Sequence, residues 1–578
     1  MPVGPGSIQD IWPLSPLQEE ILFHTLAAPG SGAHVVQSRF TLSGRLDADA
    51  FERAWQGAVD RHAVLRTAFA WEDLEEPVQV VLRSLPVAVA HQDWRGLPPV
   101  EQRERMAELL RRDRERGFDP ARAPLMRLQL VRLADEVHEF VWTRHHVLLD
   151  GWSDPLVFGD VVALYVAGVR GEEAQLPPTR PYGDYVAWIG RRDMAAAEAF
   201  WRGELRGVEG PTRLELGPGD GRGYAGEEVR LVGPAAAALS AWIRRAGLTP
   251  GTVVHGAWAL LLARCAGTDG VVFGSVASGR PAELEGADRM VGLFINTLPV
   301  RLRVPEGERV EAWLRGVQAS QARSREWEHA SPARVRAWSG LAPGTPLWES
   351  LLVFQNYPVD PALRSATVPG LRLERGPDAE QPGYPLMLSA SLGDELVLRA
   401  TFDRAHFSAA AVRRALGHLR ALLRAMAAGP ERRLGELEML DAEERAQLVA
   451  GWNATAAPYP RERCLHERFE EQAAADPGAV ALLRGEERIT RGELDRRANR
   501  LAHHLRALGA GPEVRVGVCL ERSPESVAAV LAVLKAGAAY VPLDPDYPAE
   551  RLEHVLRDSG ARLLVTTGAL AGRVGAPG

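Results

Sequence analysis

The spacing of apolar residues along the chain predicts a mixed α/β protein. Residues 125–133 (LMRLQLVRL) predict a half-buried strand whose inner face carries Met126, Leu128 and Leu130. Residues 139–146 (EFVWTRHH) predict a second strand. Residues 408–428 predict a helix that Ser408 caps and that ends before a Gly-Pro pair. Its apolar residues recur at helical spacing, which indicates one face turned towards a core: Val412, Leu416, Leu419, Leu423 and Met426.

Two stretches without periodicity divide the chain. Residues 171–181 (GEEAQLPPTRP) are polar and rich in proline, which is typical of a connector between two lobes. Residues 451–463 (GWNATAAPYPRER) follow a charged helix predicted around residues 441–448 and have the composition of an inter-domain linker. A new unit begins near His466, with an amphipathic helix, a hairpin in ALLRGEERIT and a second helix over residues 494–508.

Composition narrows the range of functions. A chain of 578 residues is long enough for about four domain-sized units, and 46% hydrophobic and 25% charged residues are ordinary globular values. With 68 basic and 75 acidic residues the net charge is −7, and the basic residues are scattered, so neither a nucleic acid nor a membrane is expected as a partner. Lys535 is the only lysine among the basic residues.

The cysteines and the first residues predict a cytoplasmic protein. Cys265, Cys464 and Cys519 form no CxxC pair, so neither a disulfide framework nor a cysteine-rich zinc site is expected. Residues 1–10 lack a basic stretch followed by an apolar one, so no signal peptide is expected. No apolar run reaches the roughly eighteen residues that a membrane-spanning helix needs.

The candidate chemistry is concentrated in HHVLLDGWS, residues 145–153. His145 and His146 are adjacent on the predicted strand, so their side chains point to opposite sides and cannot both bind one metal ion without distortion. No metal site is therefore expected. Ser153 is predicted to cap the helix that follows, whose apolar stripe consists of Val157, Val161, Leu164 and Tyr165.

A strand end followed by a glycine-containing loop and a helix can position three chemical groups. His146 can accept a proton near neutral pH. Gly151 allows a ligand to approach the backbone closely and offers its N–H to a developing oxyanion. Asp150 is placed to fix the loop through an ion pair. The residues alone leave open the alternative that both histidines are only packed or solvated at the strand end.

The HHxxxDG segment resembles the motif of condensation domains from nonribosomal peptide synthetases, which are relatives of chloramphenicol acetyltransferase. Six further segments resemble condensation-domain motifs in the expected order, and together they cover residues 8–450. They are PLSPLQ (13–18) leading into LFH (22–24), RHAVLRT (61–67), YGDYVAW (182–188), SGRP (278–281), VGLFINTLPVR (291–301) and LVFQNY (352–357).

The resemblance implies an α/β fold of two chloramphenicol-acetyltransferase-like lobes in a V shape, residues 1–178 and 179–448, with the active site in a tunnel between them. Residues 449–465 are then a linker, and residues 466–578 a partial adenylation domain. The expected partners are an upstream donor and a downstream acceptor carrier protein of a bacterial antibiotic or siderophore synthetase, and a monomer is expected. Because the phosphopantetheine arms belong to the carriers, no cofactor is expected on this chain.

The resemblance also implies roles for single residues. His146 deprotonates the acceptor amine or holds it for attack, and Gly151 lies beside the reacting thioester. His145 supports the scaffold, while Asp150 forms an ion pair for which Arg280 is the candidate partner. The further candidates for the tunnel wall are Trp152, Ser153, Asn296 and Gln355. Arg66 and Asn296 match motifs as well, but a fold-supporting role is favoured for both.

Residues 466–578 resemble the start of an adenylation domain. ITRGEL (489–494) is similar to its first core motif, with Arg491 where an aromatic residue is usual, and LKAGAAYVPLDPDYP (534–548) is similar to its second. No Gly/Ser/Thr-rich phosphate loop follows, so we expect this piece to be inert in ATP-dependent activation, as an excised fragment would be. Lys535 is predicted to be a solvated cation at a helix end. After it, the pattern predicts a charged helix (549–559), a strand (561–567) and a Gly/Ala-rich end.

The expected function is peptide-bond formation between a donor acyl or peptidyl thioester and the amine of an acceptor aminoacyl thioester. HHxxxDGWS favours an L-donor joined to an L-acceptor, whereas the PLSPLQ start also occurs in domains that take a D-donor. An epimerisation domain shares HHxxxDG, but it normally follows a carrier and does not run into an adenylation start. The intact motif disfavours a non-catalytic carrier-binding platform, and the missing phosphate loop disfavours an adenylate-forming ligase.

Overall fold

The computed structural model describes residues 7–574 apart from 29, 31, 33, 356–366, 369 and 377–382. The chain folds into two compact units, Met1–Gln447 and Leu448–Gly578. The change from one unit to the other falls at the start of the predicted linker, and residues 452–463 form neither helix nor strand. The proline-rich residues 172–181 likewise form neither.

The first unit alternates strands and helices. Its strands are β1 (Ile8–Pro13), β2 (Val35–Gly44), β3 (Thr67–Ala70), β4 (Val78–Leu82), β5 (Val89–Asp93), β6 (Met126–Ala134), β7 (Val137–His145), β8 (Tyr224–Leu231), β9 (Gly270–Ala277), β10 (Asn296–Arg303), β11 (Ser350–Phe354), β12 (Thr367–Val368), β13 (Leu371–Arg375), β14 (Leu386–Leu392) and β15 (Leu396–Asp403). Its helices are α1 (Pro16–Ala27), α2 (Ala48–Arg61), α3 (Pro99–Arg116), α4 (Ser153–Arg170), α5 (Gly183–Ile189), α6 (Met194–Glu204), α7 (Gly233–Ala246), α8 (Pro250–Ala266), α9 (Val310–Arg325), α10 (Pro332–Trp338), α11 (Ala409–Ala428) and α12 (Ala442–Ala446).

Two six-stranded mixed sheets organise the first unit. The first has the strand order β12-β13-β2-β7-β6-β5, and the second has the order β10-β9-β11-β14-β15-β8. Strand β5 runs parallel to β6, and β11 runs parallel to both β9 and β14, while the other pairs are antiparallel. A small sheet β1-β4-β3 completes the unit. The predicted mixed α/β fold is confirmed.

The predicted apolar stripes lie in two separate cores. Met126, Leu128 and Leu130 of β6 are buried in the first core, which also contains residues of α2 and α4. The second core contains residues of α8 and all five of the apolar residues predicted on α11. Ser408 caps α11 as predicted, because its hydroxyl accepts a hydrogen bond from the Ala411 N–H at 3.3 Å.

The two halves of the first unit interleave. Leu371–Arg375 of β13 pair antiparallel with Phe40–Gly44 of β2, so a late segment of the chain extends the first sheet. The first core likewise includes Tyr182, Leu293 and Phe294 from beyond the proline-rich stretch. The chain on either side of residue 178 therefore contributes to one sheet and one core.

Among the described residues, none of the helices taken singly combines the length and the apolarity needed to cross a membrane. Helices α7 and α8 meet that criterion only together, as a pair bent by 108°.

The second unit has the helices, the hairpin and the strand that its sequence predicts, together with further elements. Its strands are β16 (Val480–Arg484), β17 (Glu487–Thr490), β18 (Arg515–Cys519), β19 (Ala539–Leu543) and β20 (Leu563–Thr566), and its helices are α13 (Leu465–Ala475), α14 (Arg491–Ala507), α15 (Pro524–Lys535), α16 (Ala549–Ser559) and α17 (Gly568–Val574). The hairpin β16–β17 is confirmed, and β18 pairs in parallel with β19 and β20. In the Gly/Ala-rich end a further helix, α17, forms and buries Leu570 and Val574.

The prediction that Lys535 is solvated is wrong. It is the last residue of α15, but only 4% of its side chain is exposed. Its Nζ donates to Glu470 Oε1 at 2.6 Å, to Asp495 Oδ1 at 2.7 Å and to Asn499 Oδ1 at 2.8 Å. The ammonium thus joins α13 and α14 to the end of α15 through three hydrogen bonds.

Replacing Lys535 by methionine is expected to destabilise the second unit by about 2 kcal/mol, because a charge-assisted network with little solvent access is lost. Hydrogen exchange of the α14 amides measures this as a roughly thirtyfold loss of protection. The matched control is Arg557→Met, which removes a largely exposed ion pair with Glu553 on α16 and should change protection little. Equal protection in the Lys535 variant and the control would contradict the structural role.

Candidate active site

His145 is enclosed and hydrogen-bonded where β7 ends. Its side chain is buried, and its backbone N–H donates to Leu125 O at 2.9 Å. The Val147 N–H donates to His145 Nδ1 at 3.2 Å, so Nε2 carries the proton and donates to Thr25 Oγ1 at 3.0 Å. Burial lowers the pKa of His145 to about 3, with the neighbouring histidines His34 and His146 adding to the effect. A neutral imidazole with both nitrogens engaged fits a scaffold.

His146 lies in different surroundings. It follows β7 in a turn, so the predicted strand ends one residue earlier than expected. Its backbone N–H donates to His34 O at 2.7 Å, and its side chain is partly exposed, unlike that of His145. The two adjacent histidines therefore lie in different environments, His145 buried and His146 partly exposed.

Asp150 is held from both halves of the first unit. Its carboxylate is fully buried and lies 3.2 Å from Nη2 of Arg280, whose side chain is 5% exposed. Oδ1 also accepts the Ser153 N–H at 2.8 Å, and Oδ2 accepts the Phe294 N–H at 3.0 Å. The ion pair predicted between Asp150 and Arg280 is present, and it leaves the carboxylate committed to the fold.

Arg280 is likewise committed to neighbouring groups. Its Nη1 donates to the carbonyls of Ala287 and Met290, and its Nη2 donates to Ser153 Oγ at 3.0 Å. The guanidinium carbon lies 4.0 Å from the centre of the Phe294 ring. Burial lowers the pKa of Arg280, and the charge of Asp150 opposes that shift.

Two glycines near Arg280 lie where a neighbouring group comes too close for any side chain. Gly279 has φ +62°, and a Cβ there would lie 1.7 Å from Phe294 O. A Cβ on Gly292 would lie 2.1 Å from the Tyr182 ring. Both glycines belong to motifs that the sequence shows, and a side chain at either position would displace the Phe294 backbone or the Tyr182 ring.

The beginning of α4 differs from the prediction for Ser153. Ser153 is the first helical residue and Trp152 is the N-cap, so Ser153 does not cap the helix. Asp150 supplies the capping oxygen, while the buried Ser153 hydroxyl donates to Gly292 O at 2.8 Å and accepts the Gly292 N–H at 3.1 Å. Its hydroxyl joins the two halves of the unit.

The remaining candidate site residues lie at different positions in the fold. Gly151 lies partly exposed in the turn before α4, and Trp152 Nε1 donates to Asp288 O at 3.0 Å. Asn296 Nδ2 donates to the carbonyls of Glu328 and Ala330, both at 2.7 Å, which fits the fold-supporting role favoured for it. Gln355 is exposed just after β11, and the next two motif residues, 356 and 357, lie outside the described residues.

Arg66 also has the surroundings of a fold-supporting residue. Its guanidinium donates to four backbone carbonyls of the first half and to Gln9 Oε1. Burial lowers the pKa of Arg66.

Sequence reasoning missed several residues that hold the histidine loop. Gln18 Nε2 donates to Val147 O at 3.1 Å and to Gln79 Oε1 at 3.0 Å. Arg144 and Asp154, at either end of the motif, form an ion pair with side chains only 4% and 6% exposed. A signal existed in both cases: Gln18 ends a recognised motif, and a basic and an acidic residue directly flank HHVLLDGWS.

His34 was missed as well, because neither a motif nor a pattern of charged residues marks its position. It has the left-handed φ of +58° and presents its carbonyl to the His146 N–H. Its ring lies parallel to that of His24 at 5.9 Å. Burial and, to a smaller extent, the neighbouring His146 and His24 lower the pKa of His34 to about 3. In the described part of the chain, no group of three or more His, Cys, Asp or Glu side chains is arranged to hold a metal ion.

Two protein-family models match this chain. A family model for the condensation domain matches residues 8–449, and one for the AMP-binding enzyme matches residues 469–576. The chain belongs to the condensation-domain family of nonribosomal peptide synthetases. Condensation domains of this family are acyltransferases that form peptide bonds, and here the domain is followed by part of an AMP-binding domain.

Relatives and solved structures agree with this family. The chain is 44% identical over 574 residues to a linear gramicidin synthase of Brevibacillus parabrevis, covering 98% of this chain and 7% of that protein. It is 33% identical over 565 residues to bacitracin synthase 3 of Bacillus licheniformis, covering 96% of this chain and 9% of that protein. The chain thus spans less than a tenth of the length of these two relatives.

Similar folds occur in solved synthetase structures. Holo-AB3403, a four-domain nonribosomal peptide synthetase, matches with a TM-score of 0.77 at 20% identity, over 97% of this chain and 44% of that one. The synthetase FmoA3 matches with a TM-score of 0.75 at 24% identity, over 100% of this chain and 60% of that one. At these identities the likeness concerns the fold.

Proposed function

We propose that the condensation domain transfers a donor aminoacyl or peptidyl group from a carrier-borne phosphopantetheine thioester to the α-amine of an acceptor aminoacyl thioester on a second carrier. The observation that supports this proposal most is the contrast within the histidine pair. His145 is buried, neutral and fully hydrogen-bonded, whereas the His146 side chain is partly exposed on a loop that Gln18, Arg144 and Asp150 hold.

The reaction needs no group beyond the two tethered substrates and this loop. The neutral acceptor nitrogen attacks the donor thioester carbonyl, the C–S bond breaks, and the proton that the nitrogen loses on becoming an amide ends on the thiol that leaves on the donor arm. His146 takes the proton that the acceptor ammonium must lose, or holds the neutral amine in line with the carbonyl. The Gly151 N–H is the proposed partner of the oxyanion that develops on that carbonyl. Holding both substrates close supplies most of the rate enhancement.

The two substrates are proposed to approach His146 from opposite sides, each with a defined configuration. The two arms reach His146 from carriers docked at opposite mouths of a tunnel between the two lobes, with Trp152, Asn296 and Gln355 as candidates for its wall. The donor residue is proposed to have the L configuration, and so is the acceptor. A D-donor is the competing possibility.

Transfer between loaded carriers tests this function directly. Donor carriers charged with the L or the D form of one amino acid are mixed with a charged acceptor carrier, and the dipeptidyl product is measured by mass spectrometry. We expect product from the L-donor in preference to the D-donor. Preference for the D-donor would reverse the stereochemical assignment, and no product from either donor over a panel of residues would reject the function.

The same protein is expected to show no amino-acid-dependent exchange of pyrophosphate into ATP. Binding of a triphosphate needs backbone N–H groups and cations concentrated around the phosphates, and Lys535 is already occupied by Glu470 and Asp495. The check is an exchange assay with a panel of amino acids beside the transfer assay. Exchange without transfer would place the activity in the second unit and contradict the proposal.

A further inference from the structure

A small cavity in the first unit lies between the RHAVLRT motif and the end of the proline-rich connector. Its wall includes Arg61, the last residue of α2, Arg66 from the turn that follows, and Arg180 from the connector. Its volume is about 170 Å³. One water molecule needs only ~10–15 Å³, while sites for drug-sized ligands begin at ~300 Å³. The size therefore favours a compact ligand of a few atoms.

The wall of this cavity is positively charged. Among the described residues that line it, three are arginines and none is acidic. Two of the arginines are balanced by acids outside the wall. Arg61 pairs with Asp160 at 2.8 Å, and Arg180 pairs with Asp184 at 2.7 Å. In the described part of the chain Arg66 has no such partner, so one positive charge of the wall is left without a counterion.

Arg66 is also buried, with 5% of the residue exposed. Its guanidinium donates to four backbone carbonyls and to the Gln9 amide oxygen, which are all neutral acceptors. Nη2 has two N–H groups, and the acceptor that the described residues offer it is the Asp60 carbonyl at 3.2 Å. One N–H group is thus left for a ligand. Burying a charge without a counterion costs free energy, which an anion in the cavity would offset.

We propose that this cavity binds a compact tetrahedral oxyanion, of which phosphate and sulfate are the simplest examples. Arg66 holds the anion from the buried side, and Arg61 and Arg180 hold it from the more exposed side. Planar guanidinium groups match the oxygens of such an anion, and the hydrogen bonds formed with it are strengthened by charge. A tetrahedral oxyanion has enough oxygens to accept from all three arginines, whereas a carboxylate has two. The inference is independent of the reaction proposed above.

An anion bound here would hold the end of the connector against the turn that follows α2. Arg61 already donates to the connector at Pro177 O. Helix α5 begins directly after the connector, where the Asp184 N–H donates to Pro181 O at 3.1 Å and the Tyr185 N–H donates to Tyr182 O at 3.0 Å. Binding is therefore expected to slow hydrogen exchange of the amides in residues 177–190.

Calorimetry of the full chain with inorganic phosphate, sulfate and acetate at constant ionic strength tests this inference. Arg66→Met would lose several hydrogen bonds of the fold, so the informative variant is Arg180→Met. The matched control is Arg202→Met on α6, which lies outside the cavity wall. Arg180 and Arg202 are both about half exposed, and each pairs at 2.7 Å with an acid four residues away. The two variants therefore change the net charge and the exposed ion pairs equally.

We expect saturable binding of phosphate and sulfate to the wild type, with acetate at least roughly tenfold weaker. In Arg180→Met the Kd for phosphate should rise at least roughly tenfold, as the loss of one charge-assisted contact implies, while Arg202→Met stays within about twofold of the wild type. No saturable phosphate binding to the wild type, or equal affinity in the two variants, would overturn the inference. Acetate that binds as tightly as phosphate would overturn the tetrahedral assignment.

Hydrogen exchange locates the bound anion independently of the variants. With phosphate present, we expect slower exchange in residues 61–66 and 177–190 of the wild type and no change in α6. Slowing that spreads evenly over the first unit would contradict a site in this cavity, since it would indicate anions bound all over the arginine-rich surface.

Discussion

Replacing Arg280 by methionine is expected to destabilise the condensation domain by about 3–5 kcal/mol, because it strands the buried carboxylate of Asp150. The remaining donors to Asp150, the N–H groups of Ser153 and Phe294, do not neutralise its charge. The same replacement leaves the carbonyls of Ala287 and Met290 without the guanidinium that binds them. Loss of this one side chain therefore affects both the histidine loop and the segment that carries the SGRP motif.

Denaturant unfolding followed by tryptophan fluorescence measures the effect in the right unit, since fourteen of the fifteen tryptophans lie in the first unit and only Trp452 lies in the second. Arg315→Met is the matched control. It breaks an ion pair with Glu311 on α9 in which the arginine is 62% exposed, and such pairs contribute at most about 1 kcal/mol. If the two variants unfold at the same denaturant concentration, the prediction that the Asp150–Arg280 pair stabilises the domain more than an exposed ion pair is wrong.

Replacing His146 by alanine is expected to lower the rate of transfer at least tenfold, which corresponds to about 1.4 kcal/mol of activation free energy. The reason is that His146 is the partly exposed member of the pair and is the residue proposed to take the proton of the acceptor amine. The rate is measured with loaded carriers under single-turnover conditions. Its unfolding curve should stay close to that of the wild type, because its ring is not part of the core.

The control for that experiment is His145→Ala. It removes a buried ring with hydrogen bonds to Thr25 and Val147, so we expect reduced thermal stability or soluble yield. The two neighbouring substitutions should thus separate chemistry from folding. Wild-type turnover in the His146 variant would remove that residue from the mechanism.

The sequence was informative where periodicity or motif spacing is set locally. The stripe of α11 and its Ser408 cap follow from helical spacing alone, and both are present. Ser153 shows the limit of that approach. A serine before an apolar stripe is a good cap by type, but its hydroxyl binds Gly292 from a distant segment, and Asp150 takes over the capping. The Ser153 hydroxyl therefore binds a distant segment and does not cap its own helix.

Residues whose partners come from elsewhere in the chain were the ones mispredicted. Lys535 is at a helix end, as its sequence indicates, but α13 and α14 bring Glu470, Asp495 and Asn499 around it. The short α17 contains two glycines, which disfavour a helix, and it buries Leu570 and Val574. Strand β13 pairs with β2, and nothing in either segment of the sequence indicates that the two are neighbours.

In the candidate site, the motifs identified the residues and not their mutual distances. The Asp150–Arg280 pair follows from the resemblance, but its hydrogen bonds to Ser153 and Phe294 depend on the way the two halves meet.

The burial of Lys535 has a practical consequence for labelling. It provides the sole side-chain amine of the 578 residues, and 4% of it is exposed. Succinimidyl esters, imidoesters and similar amine-directed reagents therefore find no accessible lysine on the folded protein. Substituting a lysine at an exposed position, such as Arg315→Lys on α9, would provide one accessible lysine for attaching a fluorophore or a cross-linker. No native lysine would have to be removed first.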